Sequence, residues 1–140
     1  MLTCNTPYLK AHYDSDLNTV VAVWNGFVQP DEARAGHESL RDMFRYYEAS
    51  YLLNDLRDHE GGFGAVQEWL QQTYLPEMIA LGYAACANVM PEDFMACVSV
   101  HELETRQGGV VPTRMFTEPA DARQWIGGLR RVRRTQQQIA

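Results

Sequence analysis

Between Ser50 and Met90 four kinds of sequence follow one another without a break. A short apolar run, Tyr51, Leu52 and Leu53, leads into Asn54, Asp55, Arg57 and Asp58, and then into a segment holding Gly61, Gly62 and Gly64. A helical pattern carrying Trp69 comes next, and a nearly continuous apolar run of small residues closes the stretch from Tyr83 to Met90. An apolar run without polar alternation is the pattern of a strand covered on both faces. Two strands joined through a helix make a β-loop-α-β unit, which commits the chain to the α/β class. In open α/β sheets ligands and partners meet the C-terminal ends of the strands, so the polar cluster from Asn54 to Glu60 is where function is to be sought.

The rest of the chain extends this unit. From Tyr8 to Tyr13 the residues alternate with the period of a half-buried strand, Asp14 to Asp16 make a turn, and the β-branched run Thr19 to Trp24 ends at Asn25-Gly26, which together predict an N-terminal hairpin. Pro30, Asp31 and Glu32 supply a helix start. Ala33, His37, Leu40, Phe44 and Tyr47 then recur at helical spacing, the buried stripe of an amphipathic helix of about 17 residues. His37 on that stripe reads as a packed histidine, since no second metal-type residue recurs near it. A strand over Tyr51–Leu56 and a loop over Arg57–Gly64 come next, and then a helix on Val66, Trp69, Leu70 and Tyr74. That helix is kinked or divided at Pro76 and ends at Gly82. Pro91 opens another helix, Thr113–Phe116 is a short last strand, and Pro119 opens a final helix buried through Ala122, Trp125, Ile126 and Leu129. The order is ββαβαβαβα: a small mixed, mostly parallel α/β sheet of about five strands with about four helices, the first strand antiparallel to its hairpin partner.

A chain of 140 residues fits one domain and buries roughly two-thirds of the surface its unfolded form exposes. We read 1–129 as that domain and 130–140 as a basic C-terminal helix end or frayed tail. With 46% apolar and 11% aromatic residues the composition is that of a packed core. The net charge of −6 argues against general binding to nucleic-acid phosphates. That charge is uneven, because Arg130, Arg131, Arg133 and Arg134 cluster where no acid follows Asp121. A basic tail on an acidic body has the charge to meet nucleic acid or anionic lipid, but a solvated helix end accounts for it more simply, the arginines sitting favourably against the helix dipole. Cys4, Cys86 and Cys97 cannot pair completely and carry no zinc spacing, so they read as reduced thiols, with Cys86 as inert packing. The N-terminus lacks the features of a signal peptide. No apolar stretch reaches the ~20 residues of a membrane span. The expectation is a cytoplasmic protein without membrane insertion and without nucleic acid as a partner.

No coherent catalytic set emerges. GGFG has neither the P-loop nor the dinucleotide-binding spacing. Asp58, His59 and Glu60 contain acid-base letters, yet adjacent loop residues without a nucleophile make no catalytic geometry. His101, Glu102 and Glu104 fall short of a zinc motif because Thr105 stands where the second histidine would be. No metal and no cofactor is expected. The candidate ligand- or partner-binding residues are Asn54, Asp55, Arg57, Asp58 and Trp69, with Arg57 offering a fork to a carboxylate or phosphate. For Asp55 and Arg57 the simpler role is structural, tying the loop to neighbouring helix ends by hydrogen bonds and an ion pair. Trp24, Trp69 and Trp125 read as core, with lining of a small apolar pocket as the alternative.

Several of these features together resemble a family. A strand ending in D-x-R (Asp55, Arg57), a helix with Trp69 before an aromatic-x-Pro step (Tyr74, Pro76), Gly82 leading into a strand, and that strand closed by Pro91 and Asp93 resemble small uncharacterised STAS/Sec14-like bacterial proteins. The element order is similar to the STAS fold of anti-sigma factor antagonists, the SpoIIAA-like group, and the strand ending VWNG (Val23–Gly26) and the run from Asp121 to Trp125 extend the likeness over most of the chain. The resemblance implies a STAS-like fold and a non-enzymatic regulatory or interaction module, acting through its sheet edge and helix surfaces on a protein partner of unknown identity, with a homodimer left open. A regulatory STAS domain carries a phosphorylatable Ser or Thr at the start of the helix after its central strand. Here no Ser or Thr occurs between Ser50 and Thr73, and Ser15, Ser39 and Ser99 do not occupy the equivalent place. The Sec14 side of the resemblance implies the alternative, a carrier or sensor of a small apolar or lipid-like ligand.

Overall fold

The computed structural model describes residues 1–96 and 110–139. Its centre is one six-stranded sheet in sequential order: β1 Cys4–Asn5, β2 Leu9–Asp14, β3 Thr19–Phe27, β4 Tyr51–Glu60, β5 Ala85–Val89 and β6 Thr113–Phe116. β1, β2 and β3 are antiparallel neighbours, and β3 through β6 run parallel. The expected hairpin and the mostly parallel remainder are both present, with β1 as an added edge strand.

Helix α1, Pro30–Tyr47, follows β3. Pro30 opens its first turn, where an N–H would lack a partner in any case, and the Glu32 carboxylate accepts the Gln29 backbone N–H at 3.0 Å. The helix stops at Glu48, whose left-handed φ of 54° turns the chain back towards the sheet. The second helical segment, α2, spans 64–80 in pieces: a 3₁₀ turn at Gly64–Val66, an α turn at Gln67–Trp69, a π turn at Leu70–Tyr74, and an α-helical end at Leu75–Ala80. Pro76 sits in the first turn of that last piece, so the division expected at proline takes the form of a π turn that ends beside it. Gly82, at φ +101°, closes the segment, and the Tyr83 N–H reaches back to the Met78 carbonyl at 3.0 Å. α3 is Glu92–Ala96 and α4 is Pro119–Ile139.

The sheet is covered on both faces. On one, α1 and α2 pack Ala33, Leu40, Phe44, Tyr74 and Met78 against Leu9, Val20, Ala22, Trp24 and Leu52. On the other, α4 packs Ala122 and Ile126 against Tyr51, Leu53, Ala85, Ala87 and Val89. All five residues of β5 are buried, as a continuous apolar run requires.

One expectation is corrected. Residues Arg57–Glu60, read as the start of a loop, continue β4, because Asn25, Gly26 and Phe27 prolong β3 and pair with Asp58, His59 and Glu60. The charged side chains there reflect position beyond the covering helices, not the end of backbone pairing. Along this extension β4 carries one residue more than β3 between the pairs Val23–Asp55 and Asn25–Asp58, a bulge that alters the alternation of the strand.

Candidate functional site

Strand alternation, still regular at the pairs Ala22–Asn54 and Val23–Asp55, puts Asn54 and Asp55 on opposite faces of the sheet. Asn54 lies on the α1 side of the sheet, where its side-chain oxygen accepts the Trp24 indole N–H at 3.3 Å and its amide donates to Asn88 Oδ1 at 3.3 Å. The Cys86 thiol donates to the same Asn88 oxygen at 3.4 Å. These side chains form a polar ladder across β3, β4 and β5 inside an otherwise apolar layer, and burial pushes the Cys86 thiol up to about 11, so it is no nucleophile at neutral pH. Asn54 therefore satisfies buried donors and acceptors across the sheet.

Asp55 and Arg57 are two residues apart on the strand. Instead of reaching neighbouring helix ends, the two bond to each other: the Arg57 guanidinium makes a bidentate pair with Asp55, Nε to Oδ1 at 2.9 Å and Nη2 to Oδ2 at 2.8 Å, and the Arg57 backbone N–H adds a third bond at 3.2 Å. The Asp55 side chain is 14% exposed and that of Arg57 45%. Burial acts to raise the Asp55 pKa, but the hydrogen bonds and charge of Arg57 more than offset it, leaving the carboxyl below its ordinary range. Asp58 is exposed one residue further on.

Trp69 belongs to an aromatic group over the α1 face. The His37 ring packs 5.0 Å from Trp24, 5.0 Å from Phe63, 5.1 Å from Tyr74 and 6.5 Å from Trp69, and His59 stacks on Phe63 at 4.6 Å. The Arg34 guanidinium lies 4.9 Å over the Trp69 ring. His37 Nδ1 is 2.7 Å from the Ala33 carbonyl, which can only accept, so Nδ1 carries the proton of the neutral ring. Burial holds the His37 pKa down at about 4 despite that hydrogen bond, with His59 lowering it slightly further. His37 is thus the packed histidine expected. Trp24 is fully buried, and a Cβ added at Gly36 would lie 2.6 Å from its ring, so protein atoms fill the space beside it that an apolar ligand would need.

The residues singled out by sequence thus form two groups. Asn54 and Trp69 share the α1 side, whereas Asp55 and Arg57 pair with each other along the strand. Phe27 and Phe63 are not among the residues the sequence singles out, and His59, weighed there only beside Asp58 and Glu60 as acid-base letters, instead stacks on Phe63. Phe63 had one signal, a lone aromatic in a run of glycine and charge, and Phe27 had none. His101, Glu102, Glu104, Cys97 and Ser99 lie outside the described residues. Among the described residues no three His, Cys, Asp or Glu side chains converge to hold a metal, Cys4 and Cys86 are free, and no helix is long and apolar enough to cross a membrane.

A parallel sheet extended by an antiparallel hairpin, with α1 and α2 on one face and α4 on the other, is a SpoIIAA-like, STAS-like α/β fold. A solved structure with this fold is that of an uncharacterized protein of the DUF3478 family from Shewanella loihica PV-4. It matches with a TM-score of 0.58 at 12% identity, over 90% of this chain and 99% of that one. No protein-family model matches the chain, and no curated protein matches it by sequence. The likeness is one of fold.

Proposed function

We propose that the chain is a non-enzymatic STAS-like interaction module of the bacterial cytoplasm that meets a protein partner at the C-terminal ends of β3 and β4. The observation that carries this reading is Phe27. Its side chain is 64% exposed, at the last position of β3 paired with Glu60, and a Cβ on Gly61 would lie 3.5 Å from its ring. Arg57, Asp58 and Glu60 are exposed on the neighbouring strand. An aromatic side chain beside charged groups is the anatomy of an interface centre with its polar rim. The Asp55–Arg57 pair holds one of those groups in place, and the thiol of Cys86 is too buried and too weakly acidic to supply covalent chemistry.

The reading is tested with a photo-crosslinking amino acid at position 27, compared with the same label at Tyr46, an exposed position on α1. The expected result is one discrete adduct from position 27 that disappears when Asp58→Lys reverses the adjacent charge, while circular dichroism is unchanged. An adduct of twice the chain mass would identify a second copy as the partner. The same diffuse products from both positions, or a turnover abolished by Arg57→Gln, would overturn the reading.

A further inference from the structure

At the opposite end of the sheet a cavity of about 180 Å³ is lined by Asn18, Ser50, Tyr51, Arg130, Arg133, Arg134 and Gln137. Four of these are on α4 at 130, 133, 134 and 137, the spacing of a single helix face. The other wall is fixed by hydrogen bonds. Asn18, at a left-handed φ of 50°, accepts the backbone N–H groups of Ser50 and Tyr51 on its carbonyl at 3.1 and 3.3 Å. Its side-chain amide donates to Ser50 Oγ at 3.2 Å, which leaves the serine O–H to donate to something else. The Tyr13 hydroxyl donates to the Asn18 side-chain oxygen and holds the amide in that orientation.

The charges in this cavity are of one sign. Three guanidinium groups line it with no carboxylate among the lining residues. Among the described residues none of Arg130, Arg133 and Arg134 forms an ion pair, while nearby Asp14 is taken by Arg123 at 2.8 Å. Arg130 donates through Nη1 to the Ser15 carbonyl at 3.2 Å, yet its Nε is buried without a partner. Arginine forks, a free hydroxyl and an orphaned donor are the parts from which phosphate sites are built. On a chain of net charge −6 such a pocket selects a compact anion over an extended anionic surface, which the rest of the molecule repels. We infer that the cavity between the C-terminal helix and the start of β4 binds the phosphate group of a phosphomonoester, clamped by Arg130, Arg133 and Arg134 with Ser50 as an additional donor. The site is independent of the Phe27 surface and stands or falls apart from it.

The test uses the full chain with inorganic phosphate and glycerol 3-phosphate, titrated by calorimetry at constant ionic strength. The expected result is saturable single-site binding. In Arg133→Gln/Arg134→Gln it weakens by at least about tenfold, since charge-assisted donors are lost. In Arg45→Gln/Arg131→Gln, which removes the same charge outside the cavity, it persists. Both pairs are exposed, so the comparison does not depend on folding, and circular dichroism checks this. A second arm measures co-sedimentation with phosphatidylcholine vesicles containing phosphatidic acid. Vesicle binding that requires Arg133 and Arg134 and resists free phosphate assigns the group to a lipid headgroup, whereas binding that free phosphate displaces assigns it to a soluble ester. Absence of binding in both arms, or equal loss in the two double variants, would overturn the proposal.

Discussion

At the scale of single residues, two buried positions carry definite consequences. Gly36 faces Trp24, and an added Cβ would lie 2.6 and 2.9 Å from two ring atoms of the indole and 3.1 Å from Leu9 Cδ2. The indole is anchored to Asn54 and cannot retreat freely, so Gly36→Ala should destabilise the fold by about 1–3 kcal/mol through overpacking, measured as a lower urea midpoint at unchanged m. His37 predicts a pH dependence of definite sign. Burial holds its folded pKa at about 4 against an ordinary 6.5. Between those values the unfolded chain binds the extra proton. Stability from this residue is therefore complete above pH ~6.5 and is lost as the pH falls towards ~4, by up to about 3 kcal/mol. The depressed pKa of His59 adds to the same slope, and Asp55 acts only below its ordinary 3.8. Urea unfolding of His37→Leu between pH 7 and 4.5 should show a flatter dependence than the parent chain. An unchanged slope would assign the effect elsewhere.

At the scale of elements, β4 and α2 show where local sequence signals end. The charged run Arg57–Glu60 is read as loop because polar residues usually mark one, yet β4 stays paired with β3 as far as Glu60 and its polarity reflects only the lack of helical cover. Pro76 announces an interruption in α2 correctly, but the π turn at Leu70–Tyr74 has no signal of its own in the sequence, and Trp69 and Tyr74 at its two ends both reach the His37 ring. α1 and α2 are joined by Arg41 Nη1 and Glu77 Oε2 at 2.7 Å, with the arginine side chain 19% exposed. The pair bridges two elements in a partly exposed setting, where coupling is commonly about 0.2–1 kcal/mol. A double-mutant cycle with Arg41→Gln and Glu77→Gln should give a value in that range that shrinks in 1 M salt. A coupling near zero at low salt would leave the two helices held by apolar contact alone.

At the scale of the whole molecule, two unequal layers share one sheet. The α1–α2 layer holds the large side chains, while on the other face Ala122 and Ile126 of α4 meet a strand of small residues, Ala85, Ala87 and Val89. Ile126 is fully buried there, so Ile126→Ala should cost about 2–5 kcal/mol by opening a cavity, visible as a fall in thermal midpoint. The same change should loosen the phosphate cavity, because the face at 130, 133, 134 and 137 is aimed by that anchor. By itself the sequence determined the α/β class, the N-terminal hairpin, the last strand at Thr113–Phe116 and most of the buried stripes, because apolar periodicity is a local property that records which face of an element meets protein. Only the tertiary structure decided that β3 and β4 stay paired around a bulge as far as Phe27 and Glu60, that Phe27 is left exposed, and that arginines from the last helix meet Asn18 and Ser50 across 80 residues or more. Those outcomes depend on strand pairing, a bulge and the distance between chain segments, and none of the three is written in the spacing of neighbouring residues.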